Sequence, residues 1–224
     1  MVDSVQSTVN PADSGNLAGM LRQVLSKFLA QSIDDMLPAR VLSYDVESNT
    51  AKVQPMIAIL SNNNETISRA QLTVPVFNIG GGGALLRFNL SEGDLGWIKA
   101  NDRDISLFLS SLDESRPNTL RKHQFDDAVF FPDKMRQFTA SPNDSGALAV
   151  LQNESGSIRI SLFDDRVDIT GNVNINGTLA VTGDVNADGD VTAGSVSLTN
   201  HIHSYIDSVG IAATPTPRNT EPPT

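Results

Sequence analysis

The chain is predicted to be mainly β, because apolar and polar residues alternate over most of its length. Three observations lead to this prediction. Helical spacing of apolar residues is confined to residues 17–37, and short strand-like runs separated by turn residues follow it. A six-residue repeat then occupies residues 167–195. The predicted architecture is an N-terminal helix, a small barrel and a β-helix formed by several chains.

Composition limits the possible functions. The 224 residues carry a formal net charge of −10 and include no cysteine. An acidic balance opposes binding to nucleic acid and attraction to an anionic membrane. Without thiols, stability must come from burial and assembly. No apolar run approaches the roughly twenty residues of a membrane-spanning helix, and no signal peptide is recognised, so folding in a cytoplasm is expected.

The N-terminal segment contains the predicted helix. Residues 1–16 are rich in Ser, Asn, Asp, Pro and Gly and are expected to form a mobile arm. Apolar residues at spacings of three and four over 17–37 predict an amphipathic helix that Pro38 ends. The favoured expectation is that this helix packs on its own domain. Docking into a partner or into a trimeric bundle are the alternatives.

Six candidate strands follow, joined by turn-rich stretches. Short strands in this number suit a small closed barrel such as an OB-fold. Nucleic-acid-binding OB-folds present a basic groove with aromatic platforms, whereas this stretch has few Lys or Arg, so no nucleic-acid partner is expected. Residues 111–145 are predicted to be an irregular collar. The candidate strands cover residues 41–46, 51–60, 72–79, 84–90, 95–100 and 105–110.

The repeat organises the C-terminal half. Aliphatic residues stand at the first and third positions of five hexads, and the fifth position is small. Period-two alternation predicts strands, and the small residues are expected to mark corners that need positive φ. One chain would form fewer than two coils of a hexad β-helix, leaving its apolar row exposed. Three chains around one axis would cover that row, which predicts a homotrimer. The small residues are Gly171, Gly177, Gly183, Gly189 and Ser195.

Two histidines close the repeat. His201 and His203 are two residues apart, so they face the same side of a strand. Three chains would supply six imidazoles, which suit an octahedral transition-metal ion better than tetrahedral zinc. The aliphatic phase changes after Gly194, so a further bend at Thr199 or Asn200 must return the pair to the axis. The alternative is a chance pair on a solvated strand.

Three aspartates near Gly189 at the end of the repeat are similar in spacing to a calcium-binding loop. They are Asp184, Asp188 and Asp190. Their spacing places them on the outward face of the strands, where solvation and protection against aggregation are sufficient explanations. No calcium site is predicted.

Taken together, the motifs resemble the central spike proteins of contractile-tail bacteriophages and tailocins, of the Mu and P2 spike kind. The resemblance covers residues 39–224. It rests on the repeat, on His201-Ile202-His203 and on the Pro- and Thr-rich ending at 214–224. It also rests on the barrel region, with its four-glycine run at 80–83 and Glu-Gly-Asp-Leu-Gly-Trp at 92–97. Residues 204–207 depart from the family pattern, in which many members turn at once into a Gly-rich apex.

The resemblance implies a non-enzymatic virion protein at the tip of the tail baseplate. Such a spike caps the tail tube, contacts the baseplate hub and punctures the host outer membrane. It has an N-terminal OB-fold, an intertwined three-stranded β-helix and a pointed apex behind which one iron ion per trimer is held by six histidines, here His201 and His203 of each chain. The expected domains are 1–38 arm and helix, 39–112 OB-fold, 113–145 collar, 146–203 β-helix and 204–224 apex.

Two other functions are compatible with parts of the pattern. A spike of a type VI-like secretion apparatus would share the architecture, but no extended hub or effector segment is recognised. A hexapeptide-repeat acyltransferase would use a histidine as a base between subunits. Those enzymes place a Gly or acidic residue directly after the large aliphatic residue, whereas here the glycine comes two residues later.

Overall fold

The computed structural model describes residues 16–61, 63, 65–206 and 217–219. This part of the chain is mainly β with few helices, as predicted. It divides into two compact units, one ending at Gly171 and the other beginning at Asn172. Within the described residues, no helix is long and apolar enough to cross a membrane. The predicted arm and most of the predicted apex lie outside the described residues.

The helices are α1 Leu17–Ser32 and α2 Ser106–Ser111, with a 3-10 turn at Pro142–Asp144. The strands are short apart from those of the barrel. In chain order they are β1 Met36–Asp45, β2 Thr50–Pro55, β3 Ile59–Leu60, β4 Thr66–Ile67, β5 Leu72–Pro75, β6 Ile79–Gly81, β7 Ala84–Leu86, β8 Leu95–Asn101, β9 Gln124–Pro132, β10 Ala149–Gln152, β11 Arg159–Leu162, β12 Val167–Thr170, β13 Thr192–Ala193, β14 Val196–Ser197, β15 Ser204–Ile206 and β16 Pro217–Asn219.

Five strands form a nearly closed, barrel-like sheet in the order β5-β2-β1-β8-β9. Every neighbouring pair is antiparallel. The two edges meet through a parallel bridge between Val76 and Phe130, where the amide of Phe77 donates to the carbonyl of Phe130 at 2.8 Å. Closure removes strand edges that would otherwise invite pairing with other chains. The prediction of a small barrel is therefore confirmed at this level.

The barrel interior holds the buried core of the first unit. Inward positions alternate along the strands, as on β2, where Ala51, Val53 and Pro55 are buried. Burying each large apolar side chain contributes about 1.5 to 3 kcal/mol, an upper bound because the unfolded chain is already partly compact. The largest of the fully buried hydrophobic side chains are Phe130, Ile98, Val41, Val53 and Val74.

The last barrel strand is not where the sequence predicted it. Residues 105–110 were expected to be a strand, but Ser106–Ser111 form α2. β9 instead lies at Gln124–Pro132, inside the region expected to be irregular. Buried Asp127 interrupts the apolar alternation of this strand. The cost of burying its charge is offset because Arg121 pairs with it at 3.0 Å. The barrel consequently extends well beyond residue 112.

α1 begins where expected and ends early. The side chain of Asn16 caps its start by accepting from the amide of Gly19 at 2.7 Å. The helix stops at Ser32, and Pro38 lies inside β1 instead of ending the helix. Asp34 redirects the chain: its amide donates to the His123 carbonyl at 2.8 Å, and its carboxylate accepts from the amide of Phe125 at 3.2 Å.

The environment of α1 differs from the favoured expectation. Its apolar side chains are between 46% and 74% exposed, so the prediction that the helix packs on its own domain is wrong. A helix packed on its domain would bury this face. The exposed residues are Leu17, Met20, Leu21, Val24, Leu25, Phe28 and Leu29.

A second antiparallel sheet, β10-β11-β12, completes the first unit. Ser161 on β11 is buried and donates to the carboxylate of Asp144 at 2.6 Å. The same carboxylate pairs with Arg159 at 3.1 Å. This partly buried cluster connects the 3-10 turn to the middle strand of the sheet.

Candidate metal site and assembly surface

From Asn172 the repeat lies in the second unit, where residues 172–191 form bends but none of the regular strands that the alternation predicted. Bends recur at residues 176–177, 182–183 and 188–189, which is the spacing of the repeat. The aliphatic side chains are 47% to 73% exposed, and no apolar residue between 172 and 203 is buried. An uncovered apolar row of this length is typical of an interaction surface. Its members are Val173, Ile175, Leu179, Val181, Val185, Val191, Val196 and Leu198.

The glycines of the repeat are of two kinds. Gly171 and Gly177 have φ of +122° and +153°, as predicted for corners that favour glycine. Gly183 and Gly189 do not have positive φ, so that explanation is wrong for them. At Gly177, Gly183 and Gly189 an added Cβ would meet no atom of the chain within 4 Å. The space beside these bends is therefore open within one chain.

A tight hairpin and a turn lead from the repeat to the histidines. The hairpin joins β13 to β14 through Gly194, whose φ is +62°. A turn covers residues 198–200, and the amide of His201 donates to the carbonyl of Ser197 at 3.0 Å. The bend predicted at Thr199 or Asn200 is therefore confirmed.

Asp190 stabilises this turn through hydrogen bonds. Its carboxylate accepts from the amide of Thr199 at 3.1 Å and from the hydroxyl of Thr199 at 2.9 Å. Hydrogen bonds from Ser197 and Thr199 hold the pKa of Asp190 below its usual value. This contact is additional to the solvation that the sequence predicts for Asp190. The contact could have been predicted from the sequence, because Asp190 and Thr199 lie on either side of a hairpin centred on Gly194.

The two histidines lie together after the turn. Their ring centroids are 5.1 Å apart and the rings are nearly perpendicular, at 87°. Nδ1 of His201 lies 2.9 Å from the carbonyl of Leu198 and 3.1 Å from that of Ser197. Because carbonyl oxygens only accept, these contacts select the neutral tautomer with the proton on Nδ1, which leaves the lone pair on Nε2. Proteins orient metal-binding imidazoles by this kind of Nδ1 contact.

One chain does not complete a metal site. Over residues 16–206 and 217–219, apart from 62 and 64, no three His, Cys, Asp or Glu side chains gather to hold an ion. A chain thus offers two imidazoles, whereas an octahedral ion takes six ligands. The local geometry suits ligation, and the six-histidine site stays a prediction that requires three chains.

The match with a known family falls on the barrel. Residues 37–133 match the family model described as the phage protein Gp138 N-terminal domain. The matched segment begins at the second residue of β1 and ends one residue after β9, so it spans the whole barrel. This match supports a phage structural protein and a component of the virion. No curated protein matches the chain.

Proposed function

We propose that this protein is the trimeric spike at the baseplate tip of a contractile phage tail, where it caps the tail tube and punctures the host outer membrane. The observation that carries the proposal is the uncovered aliphatic row of the repeat, in a chain whose barrel matches a phage domain. A row that its own chain leaves exposed needs cover from other chains. Identical copies around an axis supply it with matching spacing.

The barrel supports the capping role. The barrel strands β1, β2, β5, β8 and β9 are strands 1 to 5 in chain order. Around the barrel they are arranged 1-2-3-5-4, with strand 4 paired to strand 1 and a parallel contact between strands 3 and 5. We infer an OB-fold from this partly open, five-stranded arrangement. A nearly closed barrel of this kind presents no long unpaired edge. In our proposal it seats the spike on the tail tube and hub.

Covering the row would drive trimerisation. Each aliphatic side chain transferred from water to a shared interior contributes about 1.5 to 3 kcal/mol at most. The open space beside Gly177, Gly183 and Gly189 would let neighbouring backbones approach closely at the bends. Association and folding of the repeat then become one event, which gives a narrow structure without a part that unfolds alone.

Near the tip, His201 and His203 of three chains would hold one iron ion. Nε2 of His201 is the nitrogen that its Nδ1 contacts leave for the metal. The ion would cross-link three chains and oppose their separation under load. In this proposal it has a structural role and the protein catalyses no reaction.

Metal content and mass in solution test the proposal together. The chain has three histidines, so His123→Ala serves as the matched control for the double variant His201→Ala, His203→Ala. We expect wild type and His123→Ala to be trimers with about one iron per three chains. The double variant should lose the iron. A metal-free monomer, or unchanged iron in the double variant, contradicts the proposal; turnover of an acyl-CoA would favour the acyltransferase alternative.

A further inference from the structure

The exposed face of α1 has the shape of a coiled-coil contact. A groove of about 450 Å³ on this helix is lined by Leu21, Val24, Leu25 and Phe28, with Arg22 at its side. The four apolar residues are spaced i, i+3, i+4 and i+7. In a coiled coil, four residues on adjacent turns form the hole that receives one side chain of the facing helix. The groove is therefore suited to a side chain from another helix.

The described part of this chain offers no helix to fill the groove. Its other α-helix, α2, has six residues and buries none of them. The apolar side chains of α1 remain about half exposed or more. Among the described residues, this face of α1 therefore has no facing helix, and a second copy of the chain could supply one.

The sequence of α1 is compatible with a second copy of itself. Leu17, Leu21, Val24 and Phe28 are spaced by four, three and four, which corresponds to heptad positions d, a, d and a. Met20 at position g and Leu25 at position e are also apolar. The apolar face is therefore wider than the narrow stripe that a two-stranded coiled coil buries.

Charge also permits self-association. Arg22 is at position b in this register, which lies on the outer side of a coiled coil. Its charge is therefore kept away from the copies of Arg22 on the other helices.

We propose that the α1 helices of three copies pack as a parallel coiled coil, a trimer contact separate from the repeat. The proposal rests on the proposed trimer, because a helix of 16 residues is marginal alone. Linkage of three helices through the trimer raises their effective concentration to the millimolar range. The coil would then close the N-terminal end of the assembly.

Disulfide trapping tests this contact cleanly, because the chain has no cysteine. Val24→Cys places one thiol at a d position, and Ser26→Cys places a matched thiol at the outer f position of the same helix. Leu21→Cys provides a second core position in case Val24→Cys does not fold. Each full-length variant is oxidised with copper-phenanthroline and analysed on non-reducing gels. We expect disulfide-linked dimers to form at least tenfold faster at position 24 or 21 than at position 26.

Sedimentation of the same samples separates the two proposals. A trimer in which the core thiols react no faster than the Ser26→Cys thiol would overturn the coiled coil and leave the trimeric spike standing. A monomeric wild type would overturn the trimer and the coiled coil with it. A trimer with fast, position-specific cross-linking supports both.

Discussion

Gly96 is a residue whose lack of a side chain is required by packing and not by turn geometry. It lies on β8 beside Phe130, and an added Cβ would overlap both the ring of Phe130 and the carbonyl oxygen of Phe131. The ring of Phe130 is fully buried, so it has no free space to move into. The carbonyl belongs to the backbone of the paired strand β9. An alanine would thus force two barrel strands apart.

Gly96→Ala is expected to lower the free energy of unfolding by about 1 to 3 kcal/mol, the usual cost of overfilling a packed core. Urea denaturation followed by circular dichroism measures the change. Gly81→Ala is the control, because no atom lies within 4 Å of its added Cβ. We expect the control to stay within about 0.5 kcal/mol of wild type. Equal effects of the two substitutions would contradict the packing argument.

Asp104 shows how a buried charge is stabilised in the same unit. Its carboxylate accepts from Ser106, including the amide at 3.0 Å, and lies 3.4 Å from the guanidinium of Arg121. Hydrogen bonds from Ser106, with one from Thr119 and the charge of Arg121, lower the pKa of Asp104 to about 2. The folded state therefore favours the ionised form.

This pKa predicts acid sensitivity with a defined sign. Since the folded pKa lies below the ordinary value of 3.8, the contribution of Asp104 to stability is present above about pH 3.8 and is lost as the pH falls toward about 2. Asp104→Asn should remove this part of the pH dependence. Unfolding midpoints of both proteins between pH 2 and 6 provide the measurement. Parallel curves for the two proteins across this range would show that Asp104 is not responsible.

At the scale of elements, the repeat and the barrel strands differ in where their apolar residues are covered. β2 buries Ala51 and Val53 within one chain, while Val181 of the repeat is 51% exposed. The same alternating pattern thus produces a folded core in one element and a bare surface in the other. The difference follows from whether pairing strands are available in the same chain.

Val181→Lys is expected to abolish the trimer, because three ammonium groups would be placed in a shared apolar interior without partners. Ala180→Lys is the matched control, since residue 180 lies between the aliphatic positions 179 and 181, outside the bends, and is expected on the opposite face. Sedimentation velocity reports the mass of each variant. We expect Ala180→Lys to stay trimeric. Trimers of normal stability from both variants would show that residue 181 does not face the axis.

For the whole molecule, the two units should respond differently to protein concentration. The barrel has a buried core in one chain, whereas residues 172–203 of the second unit bury no apolar side chain. Stability that depends on association follows mass action, and stability within one chain does not. The acidic charge of −10 per chain also makes the assembly sensitive to salt, because like charges repel less when screened.

Thermal unfolding should therefore show two transitions. The melting temperature of the repeat is expected to rise by several degrees when protein concentration increases a hundredfold, while that of the barrel stays constant. Differential scanning calorimetry at two concentrations measures both. One transition that is independent of concentration would contradict coupled folding and assembly of the repeat.

Local patterns were sufficient for several features of this protein. Period-two alternation determined the β class, helical spacing located the start of α1, and the phase change after Gly194 located the turn before His201. Each depends on residues close in sequence, so no knowledge of distant contacts was needed. The pair His201 and His203 was found in the same way, from its spacing of two residues at the end of the repeat.

Contacts between distant residues decided the rest. β9 closes the barrel because Phe130 pairs with Val76. The strand was not predicted because the buried Asp127 interrupts its apolar alternation. α1 ends at Ser32 because Asp34 bonds to His123 and Phe125, about ninety residues further along. The bare faces of α1 and the repeat also emerged only with the fold, since amphipathicity says which face is apolar but not whether the same chain covers it.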